Sequence, residues 1–525
     1  MQAVQSPGKS KLRLDVLKRP RVVSGALVGI FSLVLYSITL APDILAHDSS
    51  EWQASAATLG ISHPPGSPAY TLIGYLFTLV PVGNLAARVS FLSVVMGAAG
   101  VVAIYWFMLT LFDRLLPALV AALTLAVAAQ WWGHASVATP YNVVPTIIAL
   151  ELTLLLLWRR KGDIRMVWVG ALAFGLGIAY HPSLMFFLPV LIAGLFILGK
   201  WRELFKPKAA IITVLLFCAG LAIYAYLPIR SAMDSQIQYA TATKIDSVAS
   251  FMNYVSASDA RSTGHGVIRM PDLDSLGNKL SEVVRQGFYP SYAYLVFGPA
   301  VILLYPAVWP ALRRIRRELI FLLAAIAGHM FIVFAISGEY AQYYMPLILY
   351  FAIWAGFSVW LILAMSDAYL GEWRWKYLPV AVTGIIYFGV LVAGLPNAWD
   401  FANHRNDTGM RDYAEYVFMQ AEEGATVLAG WESYTGLVYL QTVEGKRPDL
   451  DLRPSPPEGW SNDLPEVRAE DPPQILLSRT KPLFREGQDL TEISNEYYLS
   501  IKGRTYQDYS HGEPFPAKVA LFVVN

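Results

Sequence analysis

Asp48 and Glu51, two carboxylates three residues apart, stand in the stretch HDSSEWQASAATLGISHPPGSPAY, His47 to Tyr70, between two apolar runs. A single positioned carboxylate can take the proton of an attacking hydroxyl. A pair flanking a bond is what glycoside hydrolysis needs. The same spacing suits a helix start, with Asp48 as N-cap and Glu51 at the third helical position. Capping alone does not explain the neighbouring residues: Pro64, Pro65 and Pro68 fix φ, and Gly66 permits a turn that other residues resist. A rigid polar loop at a membrane surface is a platform for a site.

Further candidates share that side of the chain. Arg230, in YLPIRSA, ends an apolar run; a guanidinium there can pair bidentately with phosphate or simply snorkel at the interface. His63, His134 and His181 fall in polar segments or at the ends of runs. Glu339 and Tyr340 lie in GEYAQYY; Glu339 suits a sugar hydroxyl or a helix cap, and the tyrosines suit an aromatic belt. The histidines show no metal-ligand spacing, so no metal and no cofactor is expected. Glu151 and His329 interrupt apolar runs. A charge at mid-bilayer costs ~2.5–3.5 kcal/mol, so both should face protein.

The elements that must position these residues are mostly membrane helices. The chain has 525 residues, 55% hydrophobic and only 15% charged, against roughly 25% charged in soluble proteins. Apolar runs near the ~20 residues that cross a bilayer recur. Candidate spans are 22–41, 88–112, 115–131, 143–159, 166–181, 183–199, 209–227, 291–311, 318–337, 344–365 and 375–395, eleven in all. The run 69–82 is too short and reads as interfacial or re-entrant. Lys and Arg collect in residues 1–21, at Arg114, in RRKGDIR 159–165, KWRELFKPK 200–208 and RRIRR 313–317, and at Arg374 and Lys376. By the positive-inside rule the N-terminus is cytoplasmic and the C-terminus outside. The net charge of +1 and the lack of a basic stripe exclude nucleic acid as a partner. The single cysteine, Cys218, forms no internal disulfide.

The expected organisation is a polytopic α-helical membrane protein. A cytoplasmic tail (1–21) precedes a transmembrane domain (22–395) with outer loops 42–87 and 228–290. A small extracytoplasmic α/β domain (396–525) completes the chain. In that domain, helices at 408–422 and 431–443 alternate with strands at 425–430, 449–452, 474–478 and 518–524.

The stretch LAPDILAHDSSEWQASAATLGISHPPGSPAYTLIGYLFTLVPVGNLAARVSFLS resembles the first-loop signature of a membrane family that includes a vertebrate protein O-mannosyltransferase and many bacterial proteins. The pattern there is close to G-D-S-G-E-F followed by A-H-P-P-G-Y-P-L-Y. YLPIRSA, 226–232, and WESYTGLVYLQTVEGKRPDLDL, 431–452, are similar to later segments of that family. His47 stands where Gly is usual, Ser50 at a second Gly-type position, Trp52 for Phe and Ser67 for Tyr. The resemblance implies a GT-C glycosyltransferase fold, a polyprenyl-phosphate sugar donor with mannose favoured, and a protein, glycan or lipid acceptor. It makes Asp48 the inverting base, with Glu51 as support or cap; by their place in the sequence alone, Arg230, His63, His134, His181, Glu339 and Tyr340 are the further candidates toward substrate. It implies a multi-pass cell-membrane protein, bacterial plasma membrane, with its site outside. The alternative is a transporter or flippase of polyprenyl-linked glycans, which would need charged groups along its spans.

Overall fold

The structure is a computed structural model that describes residues 20–198, 201–233, 244–258, 309–335, 345–371, 373–375, 377–455, 460–480, 490–492, 497–499 and 517–524. Its first helices are α1 (Pro20–Ile38), α2 (Asp48–Thr58), α3 (Pro68–Thr78), α4 (Leu85–Phe112), α5 (Leu115–Ala126), α6 (Ala129–Ala135), α7 (Val143–Lys161) and α8 (Arg165–Tyr180). After a 3-10 turn at Pro182–Phe187 come α9 (Leu188–Leu198) and α10 (Pro207–Leu221); a second turn, Ala222–Ala225, leads into α11 (Tyr226–Ala232). Next are α12 (Val248–Val255), α13 (Trp309–Arg314), α14 (Arg316–Ala335), α15 (Met345–Tyr369) and α16 (Leu378–Ala402).

Among the described residues, 20–38, 85–112, 207–232, 345–369 and 378–402 are long and apolar enough to cross a membrane. The bent pair α5–α6, at 64°, makes a sixth. The helical run expected to end at residue 227 continues to Ala232. The run expected at 69–82 is the short helix α3, and the expected span 291–311 falls mostly outside the described residues.

Helix packing depends on small residues. α10 lies along α8, where a Cβ on Gly220 would come within 2.6 Å of the Leu176 nitrogen and one on Gly175 within 2.4 Å of the Phe217 oxygen. Without lipid-versus-protein hydrophobic gain, such close backbone approach is what holds membrane helices together. Ion pairs Arg21–Asp113, Arg114–Asp367 and Arg159–Glu318 tie helix ends at the opposite side from the first loop.

The C-terminal segment alternates helix and strand: α17 (Gly409–Gln420), β1 (Thr426–Ala429), α18 (Trp431–Thr442), β2 (Asp451–Pro454), α19 (Trp460–Ala469), β3 (Ile475–Thr480), β4 (Leu490–Glu492), β5 (Tyr497–Leu499) and β6 (Ala517–Val524). The sheet order is β2-β1-β3-β6-β4, with β5 also on β6. β1 is parallel to β2 and β3, and β6 is antiparallel to β3, β4 and β5. Alternate residues divide between two faces. Val427, Ala429 and Leu476 pack with α17 and α18, while Leu428, Ile475 and Leu477 pack with Leu464 and Val467 of α19. The α17–α18 core also takes in Ile44, Ala46, Ala54 and Ala86, so the first loop is built into this domain.

Candidate active site

α2 begins after His47, whose φ of 63° and ψ of −148° turn the chain sharply. Asp48 is therefore the first helical residue and not the cap, and no side chain caps the helix start. The loop before it is fixed by hydrogen bonds. Asn84 Nδ2 donates to the Pro42 carbonyl (2.8 Å), and Gln53 Nε2 donates to the Ala86 carbonyl and Ser90 Oγ. Arg411 of α17 holds both Asp43 oxygens and also reaches Glu444 (2.8 and 3.0 Å for the longer bonds). That double partnership raises the Arg411 pKa further, through Glu444 and then Asp43, against burial.

The two carboxylates of the D-x-x-E pair have different surroundings. Asp48 is half-buried. Its Oδ1 accepts from Trp431 Nε1 (2.8 Å) and its Oδ2 from the Tyr141 hydroxyl (3.3 Å). A carboxylate has about four lone-pair sites, so two such bonds leave capacity for an incoming hydroxyl. Glu51 is fully buried. Both its oxygens are engaged by one residue: Oε1 accepts from the His63 backbone N–H, and Oε2 pairs with His63 Nδ1 at 2.5 Å. Burial pushes the Glu51 carboxyl up, with the imidazole opposing. Burial also disfavours charge on His63, but the Glu51 carboxylate outweighs it, Asp48 adds to it, and the imidazole is pushed up to about 9. His63 stands beside Asp48, with its ring against Trp52 (5.3 Å) and Trp431 (6.0 Å).

Ligand atoms of Asp48, Glu51 and His63 all lie within 4.8 Å of one another, a spacing that a metal ion could bridge. Both Glu51 oxygens already hold His63, so a cation there would compete with that pair. The donor set reads first as an acid–imidazole couple beside a second acid held by Trp431 and Tyr141.

Arg230 sits at the other end of α2. Its Nε donates to the Leu59 carbonyl (2.7 Å) and Nη2 to that of Thr58 (3.2 Å). These are helix C-terminal carbonyls, where a cation complements the helix dipole. Tyr226 donates to the Gly60 carbonyl (2.9 Å) and Tyr254 to that of Ser62. YLPIRSA and α12 thus clamp the turn that delivers His63 to Glu51.

His134 and His181 both stack edge-on against Tyr141, at 5.4 and 5.2 Å, and His181 also lies within electrostatic reach of Asp48 and His63. His181 Nδ1 pairs with Ser183 Oγ (2.7 Å). Glu339 and Tyr340 lie outside the described residues. Glu151 and His329 face protein: Glu151 lies against Gly170, and His329 stacks on Phe187 and bonds the Tyr350 hydroxyl (2.9 Å). Sequence reasoning did not single out Trp431 or Tyr141. Both stand in segments it assigned to the outer side, but nothing in one sequence links them to Asp48.

Residues 48–205 match the family model described as the protein O-mannosyl-transferase TMEM260 N-terminal domain. The mouse protein O-mannosyl-transferase TMEM260 is 29% identical over 222 residues, which are 40% of this chain and 31% of that protein. Its Dictyostelium discoideum counterpart is 31% identical over 93 residues, 17% of this chain and 11% of that one. The chain thus spans well under half the length of these relatives. Among solved structures, ArnT from Cupriavidus metallidurans bound to undecaprenyl phosphate covers 95% of this chain and 97% of its own, with TM-score 0.54 at 13% identity. The oligosaccharyltransferase AglB from Archaeoglobus fulgidus, with an inhibitory peptide and a dolichol-phosphate, covers 88% of this chain and 69% of its own, with TM-score 0.53 at 9% identity. The chain is a helical membrane protein with the GT-C fold, and its first loop and the helices after it are similar to the N-terminal domain of the TMEM260 protein O-mannosyl-transferases.

Proposed function

We propose that this protein is a membrane glycosyltransferase that moves a sugar, mannose favoured, from a polyprenyl-phosphate carrier to an acceptor hydroxyl on the extracytoplasmic side. The observation that carries this is the asymmetry of the D-x-x-E pair: Glu51 is sealed from solvent with both oxygens on His63, while Asp48 is fixed by two donors and only half-buried. That is the arrangement a single-base transfer requires. A phosphate leaves as a stable anion and needs no acid, only positive charge and hydrogen bonds.

In the proposed step the acceptor oxygen attacks the anomeric carbon and its proton passes to an Asp48 oxygen. The bond from that carbon to the phosphate oxygen breaks, and the lipid phosphate leaves with the electron pair. Attack opposite the leaving group inverts the anomeric centre. His63, held by Glu51 and adjacent to Asp48, is assigned to the phosphate. Arg230 is assigned to the loop, since two of its nitrogens already hold carbonyls. The names of the relatives support the sugar, and the lipid phosphates bound to ArnT and AglB support the donor class. The basic segments support about eleven spans, a cytoplasmic N-terminus and an outer site. A transporter is disfavoured by the scarcity of charged groups within the apolar runs, where mainly Glu151 and His329 stand.

Transfer of labelled sugar from polyprenyl-phosphate-mannose and -glucose to membrane acceptors tests the reading. Wild type should transfer from one donor, and Asp48→Asn should lose transfer with its thermal midpoint unchanged. An equally active Asp48→Asn variant would remove the base from Asp48.

A further inference from the structure

Three hydrogen bonds converge on two neighbouring residues of the first loop, and all come from one turn of α18. The His47 N–H donates to the Glu432 carbonyl (3.2 Å). Thr435 Oγ1 donates to the His47 carbonyl (2.7 Å). Trp431 Nε1 donates to Asp48 Oδ1 (2.8 Å). His47 occupies a left-handed, glycine-type conformation, and a residue with a Cβ remains there only where its surroundings over-determine it. Here both of its backbone groups are gripped by α18.

The grip is backed by packing. Ile44, Ala46 and Ala54 are buried in one core with Tyr413, Val417, Leu437 and Leu440. Arg411 bridges Asp43 to Glu444 across the same seam. The Trp431 ring also meets His63 edge-on, so one side chain touches both members of the exposed site.

We propose that the C-terminal domain is part of the reaction site: α18 holds the His47–Asp48 turn, and Trp431 is the positioning residue that aims the Asp48 carboxylate. Asp48 is then a competent base only while α18 is docked. This rests on the reading of Asp48 as the base. A misplacement of about 1 Å in a reacting group costs on the order of 10²-fold in rate, which sets the scale of the effect.

The test uses the full chain in detergent, with Trp431→Phe, which keeps the ring and loses the N–H, and Thr435→Val, which keeps the shape and loses the hydroxyl donor. Trp431→Phe should lower kcat about 10–100-fold with the donor KM within twofold and the thermal midpoint unchanged. Thr435→Val should speed deuterium exchange in residues 44–52 and lower kcat in the same sense. Unchanged kcat in both variants would overturn the proposal. So would a raised donor KM at unchanged kcat, since Trp431 would then bind donor instead of aiming the base. A wild type without transfer from either donor would overturn the glycosyltransferase reading. The grip of α18 is then judged by exchange alone: faster in Thr435→Val if it holds, unchanged if it does not.

Discussion

Replacing His47 by Gly should stabilise the protein, whereas replacing it by Ala should not. At φ 63° and ψ −148° only a residue without a Cβ is at ease, and others store about 1–3 kcal/mol. Gly releases that strain but gives back about 0.4–1 kcal/mol through the freedom of its unfolded chain. The Gly variant should therefore exceed the Ala variant by about 0–2.6 kcal/mol, with about 1 kcal/mol as the central value. Both substitutions remove the imidazole and keep the backbone bonds to Glu432 and Thr435, so their difference isolates the Cβ. The imidazole makes no capping hydrogen bond that would confuse the comparison. Thermal midpoints of the purified full-length variants, taken side by side in one detergent, measure the order. At an ordinary position Ala outranks Gly. The same order at position 47 would mean that the turn is not strained, and the reasoning would fail.

The His63–Glu51 pair sets a pH dependence. The imidazole pKa is raised to about 9 from 6.5, so its contribution to stability is complete below about 6.5 and is lost as pH rises through about 9. The gap in thermal midpoint between wild type and His63→Gln should accordingly narrow between about pH 6.5 and 9.5; a gap constant over that range would deny the ion pair. Arg230→Ala should destabilise by about 1–3 kcal/mol, because it strands the carbonyls of Thr58 and Leu59. Donor-titration kinetics decide its role: a raised donor KM with unchanged stability would make it a phosphate ligand after all. Gly220→Val should push α10 off α8 and destabilise by about 3 kcal/mol, the upper end for overpacking, since the clash is with backbone and has no side chain to move. Retained yield and melting in that variant would show that the two helices do not need their close approach.

Local pattern was legible where one segment carried its own signal. The helix expected at 431–443 runs 431–442, and the strand expected at 425–430 runs 426–429, because alternation and turn residues mark both within a few positions. The D-x-x-E spacing was misleading as a cap, since Glu51 answers to His63 twelve residues on and Asp48 to Trp431, 383 positions away. No periodicity records a bond across that distance. Arg230 reads from sequence as a cation at an interface; only the fold shows two carbonyls in its grasp. The strain at His47 did leave a trace, because the resembling signature carries Gly there. The trace was compositional, and its meaning needed the backbone angles.

The shared core of first loop and C-terminal domain has a consequence for biosynthesis. Ile44, Ala46 and Ala54 emerge early, but the residues that bury them, Tyr413 to Leu440, are made about 360 residues later. At about 5–20 residues per second, the loop waits roughly 20–70 s for its partner. Throughout the insertion of the later spans it lies outside its native packing. A chain cut short anywhere before α17 would carry every residue of the first-loop motif and still lack the core that shapes it. Completion of synthesis is thus built into the assembly of the site, without a separate signal to report it.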